Sequence, residues 1–405
     1  MNPADFAARM ASFGPAPARV AVAVSGGPHS LALAWLARGW AREGGIELVA
    51  LIAEHGLRAE SAAEALGVRA MIEGAGIAAR ILPLDLAAGP AMQERAREAR
   101  LSALLAECHA ADARWLLLGH HRMDQAETVL LRAARGSGPS GLAGMPAMRR
   151  TAEAWLLRPL LDVTPAALEA VCATAGLAPV RDPSNDDERF ARIRARLSLA
   201  DPGGTGPRVA ALAAAADAFG RRRVAVEEAM LARLPAVTLR MDGTARIDRP
   251  ALGRDAVAQL LLGRMLRAVG GNRHAPAHAD VAALLHAGQG TLGGAWWHRD
   301  GWLVREPALV TPPVAAVAGA WWDGRFHLTN AWPGCRLGAL GSGGPRRAAL
   351  PALWRGDECI ATPHLGVGKP VPGLTFRPIG GPVDAVFHLL PQMSHSPGAN
   401  VTYVM

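Results

Sequence analysis

The chain has 405 residues, half of them hydrophobic, and a formal net charge of +8 at pH 7, which suits two or three domains and favours polyanionic partners such as nucleic acid. It contains no run of eighteen apolar residues and no apolar signal-peptide core near its start, so we expect no membrane span and a cytoplasmic location. The four cysteines form no CxxC pair, which argues against a zinc ribbon or a dithiol redox site.

Short apolar runs alternate with amphipathic runs in the first half of the chain. Residues 19–24, 46–53, 79–84 and 115–118 are predicted to be strands, and helices are predicted at about 29–40, 61–74, 91–108 and 124–134. Strand and helix in alternation predict an α/β fold with a doubly wound, mainly parallel sheet. Such sheets bind ligands beyond the carboxyl ends of their strands.

The pattern changes after about residue 200. The run DPGGTGP at 201–207 is a breaker cluster, so we expect a first domain over 1–200. Residues 201–290 are rich in alanine and leucine and are predicted to be mainly helical. Residues 291–405 hold tryptophans, glycines, prolines and short strand-like pieces such as Trp302–Arg305, which indicate a small mixed α/β domain with a tail, 380–405, poor in structural signals.

The strongest local signal is the segment Ser25-Gly26-Gly27-Pro28-His29-Ser30, between a predicted strand and a predicted helix. Glycines permit a tight turn and close approach of the backbone to an anion. Backbone N–H groups and the helix dipole then face the anion, and the serines add hydroxyl donors. The Gly-Lys-Ser/Thr ending of a Walker loop is missing, so a different nucleotide loop is indicated.

Further polar motifs follow the predicted strands. The second strand leads into His55-Gly56-Leu57-Arg58, with Glu60, Ser61 and Glu64 beyond, and the fourth leads into HHRMDQAET at 120–128. Asp124 is an oxygen ligand suited to magnesium, whereas the Met123 thioether is not.

The same region continues with GSGPSGLAGM at 136–145, RPLL at 158–161 and DPSN at 182–185. Phe190 and a row of arginines, Arg192, Arg194 and Arg196, come next. Taken alone, the glycine-rich run reads equally as a linker, and the arginine row as a solvated helix face.

Taken in order, these motifs resemble the tRNA(Ile)-lysidine synthetase family of the PP-loop ATP pyrophosphatase superfamily, over about residues 18–198. The family forms are SGGxDS, HGLRxES, HHxDDQAET, RGSGxxGLxGM and DPSNxDxxFxRxRxR. The resemblance implies a ligase that uses ATP and Mg²⁺. The wobble cytidine (position 34) of an isoleucine tRNA with a CAU anticodon is adenylated at its C2 oxygen, and free L-lysine then displaces AMP to form lysidine.

The resemblance also implies roles for individual residues. Residues Ser25, Gly26, Gly27, Pro28, His29 and Ser30 would hold the ATP phosphates, and Asp124 would bind magnesium or position ATP. Arg58 and Arg194 would meet phosphate or tRNA charge, while His55, His120 and His121 would shape the pocket, one of them with a role in proton transfer. The expected catalytic residues are Asp124, Arg58, His121 and Arg194. The C-terminal half would hold the tRNA body.

Three acidic positions of the family pattern are altered, at His29, Glu54 and Met123, and two of these changes remove a carboxylate. Two other interpretations therefore stay open from the sequence. One is a different PP-loop tRNA enzyme, such as a thiolase, although those usually carry catalytic cysteines. The other is a degenerate relative that binds tRNA without catalysis.

Overall fold

In a computed structural model of the chain, the described residues are 1–54, 61–84, 92–151, 153–180, 189, 191–368 and 371–379. The chain divides into two compact units, Met1–Val224 and the described residues from Ala225 onward. The boundaries expected near residues 200 and 290 stay predictions. No helix in these ranges is both long enough and apolar enough to cross a bilayer.

Unit 1 alternates strands and helices, as predicted. Its strands are β1 Arg19–Ala23, β2 Glu47–Glu54, β3 Ala78–Pro83, β4 Trp115–Leu117, β5 Met148–Arg150 and β6 Trp155–Leu157. Its helices are α1 Pro3–Ala11, α2 Pro28–Glu43, α3 Ser61–Gly74, α4 Met92–Ala110, α5 Arg122–Ala134, α6 Pro139–Leu142, α7 Pro165–Thr174, α8 Ala191–Leu199 and α9 Pro207–Arg233, the last of which contains the division between the units.

The six strands form one sheet in the order β3-β2-β1-β4-β6-β5, parallel throughout except for β5. Alternate residues of β1 enter two different apolar clusters: Val20 and Val22 pack on one face, and Ala21 and Ala23 on the other. Burial on both faces is why β1 has a continuous apolar sequence. The predicted α/β fold with a doubly wound sheet is confirmed.

Unit 2 contains short strands and helices. The helices are α10 Arg249–Leu252, α11 Ala256–Val269 and α12 His278–Ala287. The strands are β7 Val237–Leu239, β8 Ala245–Ile247, β9 Gly290–Leu292, β10 Ala295–Trp297, β11 Trp302–Arg305, β12 Val314–Ala315, β13 Ala320–Trp322, β14 Phe326–Leu328, β15 Arg336–Ala339, β16 Pro351–Arg355, β17 Glu358–Thr362, β18 Val367–Gly368 and β19 Leu374–Phe376.

These strands pair antiparallel in three sheets, ordered β7-β8-β11-β10-β9, β12-β15-β16-β17-β18 and β13-β14-β19. The hairpin β7–β8 lies within the stretch that the sequence predicted to be mainly helical. Unit 2 also buries an ionic cluster, in which Asp323 accepts hydrogen bonds from Arg305 and Arg325. Asp323 is therefore a buried charge that depends on its two partners.

Candidate active site

The segment Ser25–Ser30 runs from the loop after β1 into the first turn of α2, at the carboxyl edge of the sheet. Gly26 has φ +82°, and a Cβ at this position would meet Val68 Cγ2 at 2.7 Å. Its carbonyl accepts the N–H of Val180 at 2.9 Å. A side chain at position 26 would strain the backbone and clash with Val68. The turn formed by Ser25–Ser30, called the cradle below, therefore requires glycine at this position.

Ser30 organises the inside of this turn. Its hydroxyl donates to the Gly27 carbonyl at 2.9 Å and accepts the N–H of Ser25 at 3.1 Å, and the two serine oxygens lie 3.2 Å apart. Gly27 is the N-cap of α2 and makes no side-chain capping bond, while Pro28 occupies the first turn. No N-cap side chain therefore occupies the positive end of this helix dipole, the part of a helix that attracts anions such as phosphates.

The next element carrying site residues is α5, which follows β4. His29 of the loop meets His121, the N-cap of α5, edge-on with ring centroids 4.0 Å apart. Buried ring nitrogens of three histidines lack hydrogen-bond partners, namely His29 Nε2, His120 Nδ1 and His121 Nδ1. Burial lowers the pKa of His29 to about 4, helped by His121, and the pKa of His120 to about 3. Both imidazoles are consequently neutral at pH 7.

Asp124 is fixed at the start of α5 by its neighbours. One carboxylate oxygen accepts the backbone N–H of His121 at 2.9 Å, and Arg192 Nη2 lies 3.6 Å from the other. Burial would raise the pKa of Asp124, but His121, His120 and Arg192 outweigh it and hold that pKa at about 2. Asp124 is thus ionised throughout the physiological range.

Helix α8 meets α5 through a second carboxylate. Glu127 is fully buried and accepts hydrogen bonds from Arg192 Nε at 2.8 Å and from Arg196 Nε at 2.6 Å. Arg194 lies about 200° around α8 from Arg192; it is exposed and donates to the carbonyl of Arg189. The geometry therefore brings Arg192 to Asp124. The predicted phosphate or tRNA contact of Arg194 stays a prediction.

Other predicted residues have varied placements. The glycine-rich segment 136–145 is tied to α5. Gln125 exchanges two hydrogen bonds with the Met145 backbone, and Arg132 donates to the carbonyls of Gly141 and Gly144. Arg58 and His55 lie outside the described residues, as does the motif at 182–185.

Similarity to known proteins shows to which family this chain belongs. A family model described as a PP-loop domain matches residues 4–202. A tRNA(Ile)-lysidine synthase of Novosphingobium aromaticivorans is 48% identical over 185 residues, which cover 45% of this chain and 56% of the relative. A tRNA(Ile)-lysidine synthase of Ruegeria pomeroyi is 33% identical over 378 residues, which cover 87% of this chain and 90% of the relative.

The chain belongs to the tRNA(Ile)-lysidine synthase family. Among solved structures, the U34-tRNA thiolase NcsA from Methanococcus maripaludis covers 54% of this chain and 78% of its own, with a TM-score of 0.45 and 15% identity, a likeness too distant to bear on function.

The structure shows where the residues that depart from the lysidine synthase family pattern lie. Met123 is 2% exposed and packs with Ala126, Leu199 and Val209, so its side chain belongs to the core. His29 stands in the segment Ser25–Ser30, and its ring contacts the ring of His121. Glu54 keeps an acid at its position and accepts a hydrogen bond from the Ser61 hydroxyl.

Oxygen ligands for magnesium are accordingly few. The described residues contain no group of three or more histidine, cysteine, aspartate or glutamate side chains that could hold a metal ion. Asp124 provides a carboxylate, which fits Mg²⁺ because this ion is commonly bound by one or two carboxylates together with substrate phosphates.

Glu127 was not assigned a role from the sequence, and Arg192 was considered only as a member of the arginine row, which in the family context would contact ATP phosphates or tRNA backbone. A signal for them was present: Arg192, Ala195, Arg196 and Leu199 have helical spacing, and the two apolar members mark the buried face of α8. From the sequence alone, the buried face of α8 was not distinguished from its exposed face.

Proposed function

We propose that this chain joins free L-lysine to C2 of the wobble cytidine of isoleucine tRNA. The C2 oxygen of the base attacks the α-phosphate of ATP and releases pyrophosphate. The amine of lysine then attacks C2 and releases AMP. The family membership supports this reaction, and ATP use is common to PP-loop proteins.

The observation that carries the proposal is the meeting of two elements at one edge of the sheet. The Ser25–Ser30 cradle and the start of α5 are joined by the contact between His29 and His121. An anion held at the cradle would lie beside Asp124, as expected for ATP attacked by an RNA oxygen.

Each group has a proposed role. The hydroxyls of Ser25 and Ser30 and the backbone of Gly26 and Gly27 hold phosphate oxygens, and Pro28 fixes the start of α2. Asp124 would hold Mg²⁺, which supplies neutralisation of phosphate charge when bound.

His121 is proposed to orient Asp124 through its backbone N–H. Burial lowers the pKa of both His29 and His121, so at neutral pH their rings accept or donate hydrogen bonds without adding charge. Arg192 stabilises negative charge near Asp124. The predicted phosphate or tRNA contact of Arg58 stays a prediction.

The test uses purified protein, ATP, Mg²⁺, labelled lysine and a transcript of the tRNA with its CAU anticodon. We expect lysine to be incorporated into RNA, and we expect none with a matched transcript in which uridine replaces the wobble cytidine. Pyrophosphate release without lysine incorporation would show that the second substrate is wrong. Tight tRNA binding without either product would support the non-catalytic relative.

A further inference from the structure

Four arginines converge at the carboxyl edge of the sheet in unit 1, on its β6–β5 side. Arg149 lies on β5 directly opposite Leu156 of β6. Arg158 comes two residues after Leu156, and its N–H continues the ladder by bonding the Ala147 carbonyl at 2.7 Å. Because side chains alternate along a strand, Arg149 and Arg158 project from the same face of the sheet.

Helix α4 carries the other two arginines, Arg97 and Arg100. Leu101, Leu104 and Cys108 of α4 belong to the apolar cluster that contains Leu156. Arg97 and Arg100 precede these residues at helical spacing, so they continue the same stripe towards the start of the helix. Since α4 runs from the end of β3 to the start of β4, its beginning lies at the carboxyl edge, where Arg149 and Arg158 project.

This arginine cluster (Arg97, Arg100, Arg149 and Arg158) is short of negative charge. Within the described part of the chain, no carboxylate forms an ion pair with any of the four. Arg158 is only 8% exposed; its Nη1 donates to the Pro146 carbonyl at 2.8 Å, while its Nε and that of Arg149 are buried without partners.

The charges in the cluster also act on one another. Burial, followed by the charges of Arg149 and Arg97, lowers the pKa of Arg158 to about 10. Burial and then Arg97 lower the pKa of Arg100 in the same way. Asp124 acts electrostatically on Arg97 but forms no ion pair with it. Arg100, Arg149 and Arg158 are at least partly buried, and gathering such guanidinium groups without a paired carboxylate is unfavourable unless an anion binds among them.

We propose that the arginine cluster binds the phosphodiester backbone of the RNA strand that carries the reacting base. This inference rests on the proposed function and adds a second anion site to it, separate from the Ser25–Ser30 cradle. A strand passing Asp124 would present successive phosphates to the guanidinium groups, which match phosphate geometry with paired N–H donors. Arg97 is exposed and forms the open side of the cluster.

Two other ligands fit less well. Free lysine carries one carboxylate and two ammonium groups, so its net positive charge is repelled by four arginines. ATP is accounted for at the cradle after β1, and the sheet order β1-β4-β6-β5 sets the strands of Arg158 and Arg149 two and three positions away. At about 4.8 Å per strand, that separation is roughly 10–15 Å.

The test measures tRNA binding by the full chain over a series of salt concentrations, without turnover. The variants are Arg97→Gln, which changes an exposed side chain and has little effect on folding, and Arg149→Gln. Arg114→Gln is the matched control: it removes the same charge from an exposed side chain that precedes β4 at the opposite edge of the sheet.

Each cluster variant should weaken tRNA binding by about fivefold at 0.1 M salt and reduce the slope of log K against log salt by about 0.7–1, as expected for one lost phosphate contact. Arg114→Gln should leave both quantities at the wild-type values. The dissociation constant for ATP and the KM for lysine should be unchanged in all three variants.

Three results would overturn the inference. The cluster variants could match the control in affinity and slope. ATP binding could weaken while tRNA binding stays the same, which would make the cluster a polyphosphate site. The KM for lysine could rise alone, which would make it a carboxylate site. Failure of the proposed function is distinguishable, because the wild-type chain itself would then fail to bind tRNA or to incorporate lysine.

Discussion

The contact between α5 and α8 depends on Glu127. Its carboxylate is fully buried and accepts one hydrogen bond from Arg192 and one from Arg196, at 2.8 and 2.6 Å. Glu127→Gln keeps the shape of the side chain but removes its charge and turns one acceptor into a donor that faces a guanidinium. We therefore expect α8 to separate from α5 more often in this variant.

The magnitude follows from burial. Removing one partner of a fully buried ion pair costs about 3–5 kcal/mol. Here the side chains of Arg192 and Arg196 are 33% and 39% exposed, so both can turn to water when the carboxylate is lost. We therefore expect local opening of α8 to become easier by about 2–3 kcal/mol, which corresponds to roughly 30- to 150-fold faster amide exchange.

Hydrogen–deuterium exchange of peptides covering Ala191–Leu199 measures this opening directly. Arg194→Gln is the matched control on the same helix, because Arg194 is exposed and bonds the Arg189 carbonyl. Its exchange should stay within about threefold of the wild type, since surface substitutions usually change stability by less than 0.5 kcal/mol or so. If amide exchange accelerates equally in the two variants, the hydrogen bonds to Glu127 are not what holds α8 against α5.

Three further substitutions give expected outcomes. Gly26→Ala forces a positive φ and a clash with Val68, so it should cost about 1–3 kcal/mol in thermal unfolding and abolish ATP binding by calorimetry. Because the pKa of His29 is about 4 when folded and 6.5 ordinarily, the unfolded chain binds the extra proton between these values, and stability falls as pH drops through them. His29→Asn should remove up to about 1.4 kcal/mol per pH unit of that dependence in urea unfolding at pH 4–6.5, and an unchanged slope would contradict it. Asp323→Asn should destabilise unit 2 by about 3–5 kcal/mol, seen as a lower unfolding temperature, because two arginines lose their charged partner.

Much of unit 1 could be predicted from the sequence. The apolar runs of β1, β2 and β4 identify strands because the central strands of a parallel sheet are buried on both faces. The expected helix at 61–74 is α3 with the same bounds, and the loop at 25–30 lies between β1 and α2 as its glycines indicated.

Other features could not be read from local patterns. Arg97, Arg100, Arg149 and Arg158 come from three segments that only the sheet order brings to one edge. Strands of three residues, such as β5, are too short to show a period. Whether Met123 faces the site or the core depends on packing against α8 and α9, which its motif does not specify.

The most direct test of the central claim is transfer of label from α-³²P-ATP to the tRNA in the absence of lysine. We expect wild-type protein to give RNA-bound label that is released as AMP when lysine is added, and Asp124→Asn to give neither despite normal folding. Two results would contradict the claim that Asp124 and the Ser25–Ser30 cradle activate an RNA base at this edge of the sheet. One is lysine-independent hydrolysis of ATP with no label on RNA, and the other is full transfer of label by Asp124→Asn.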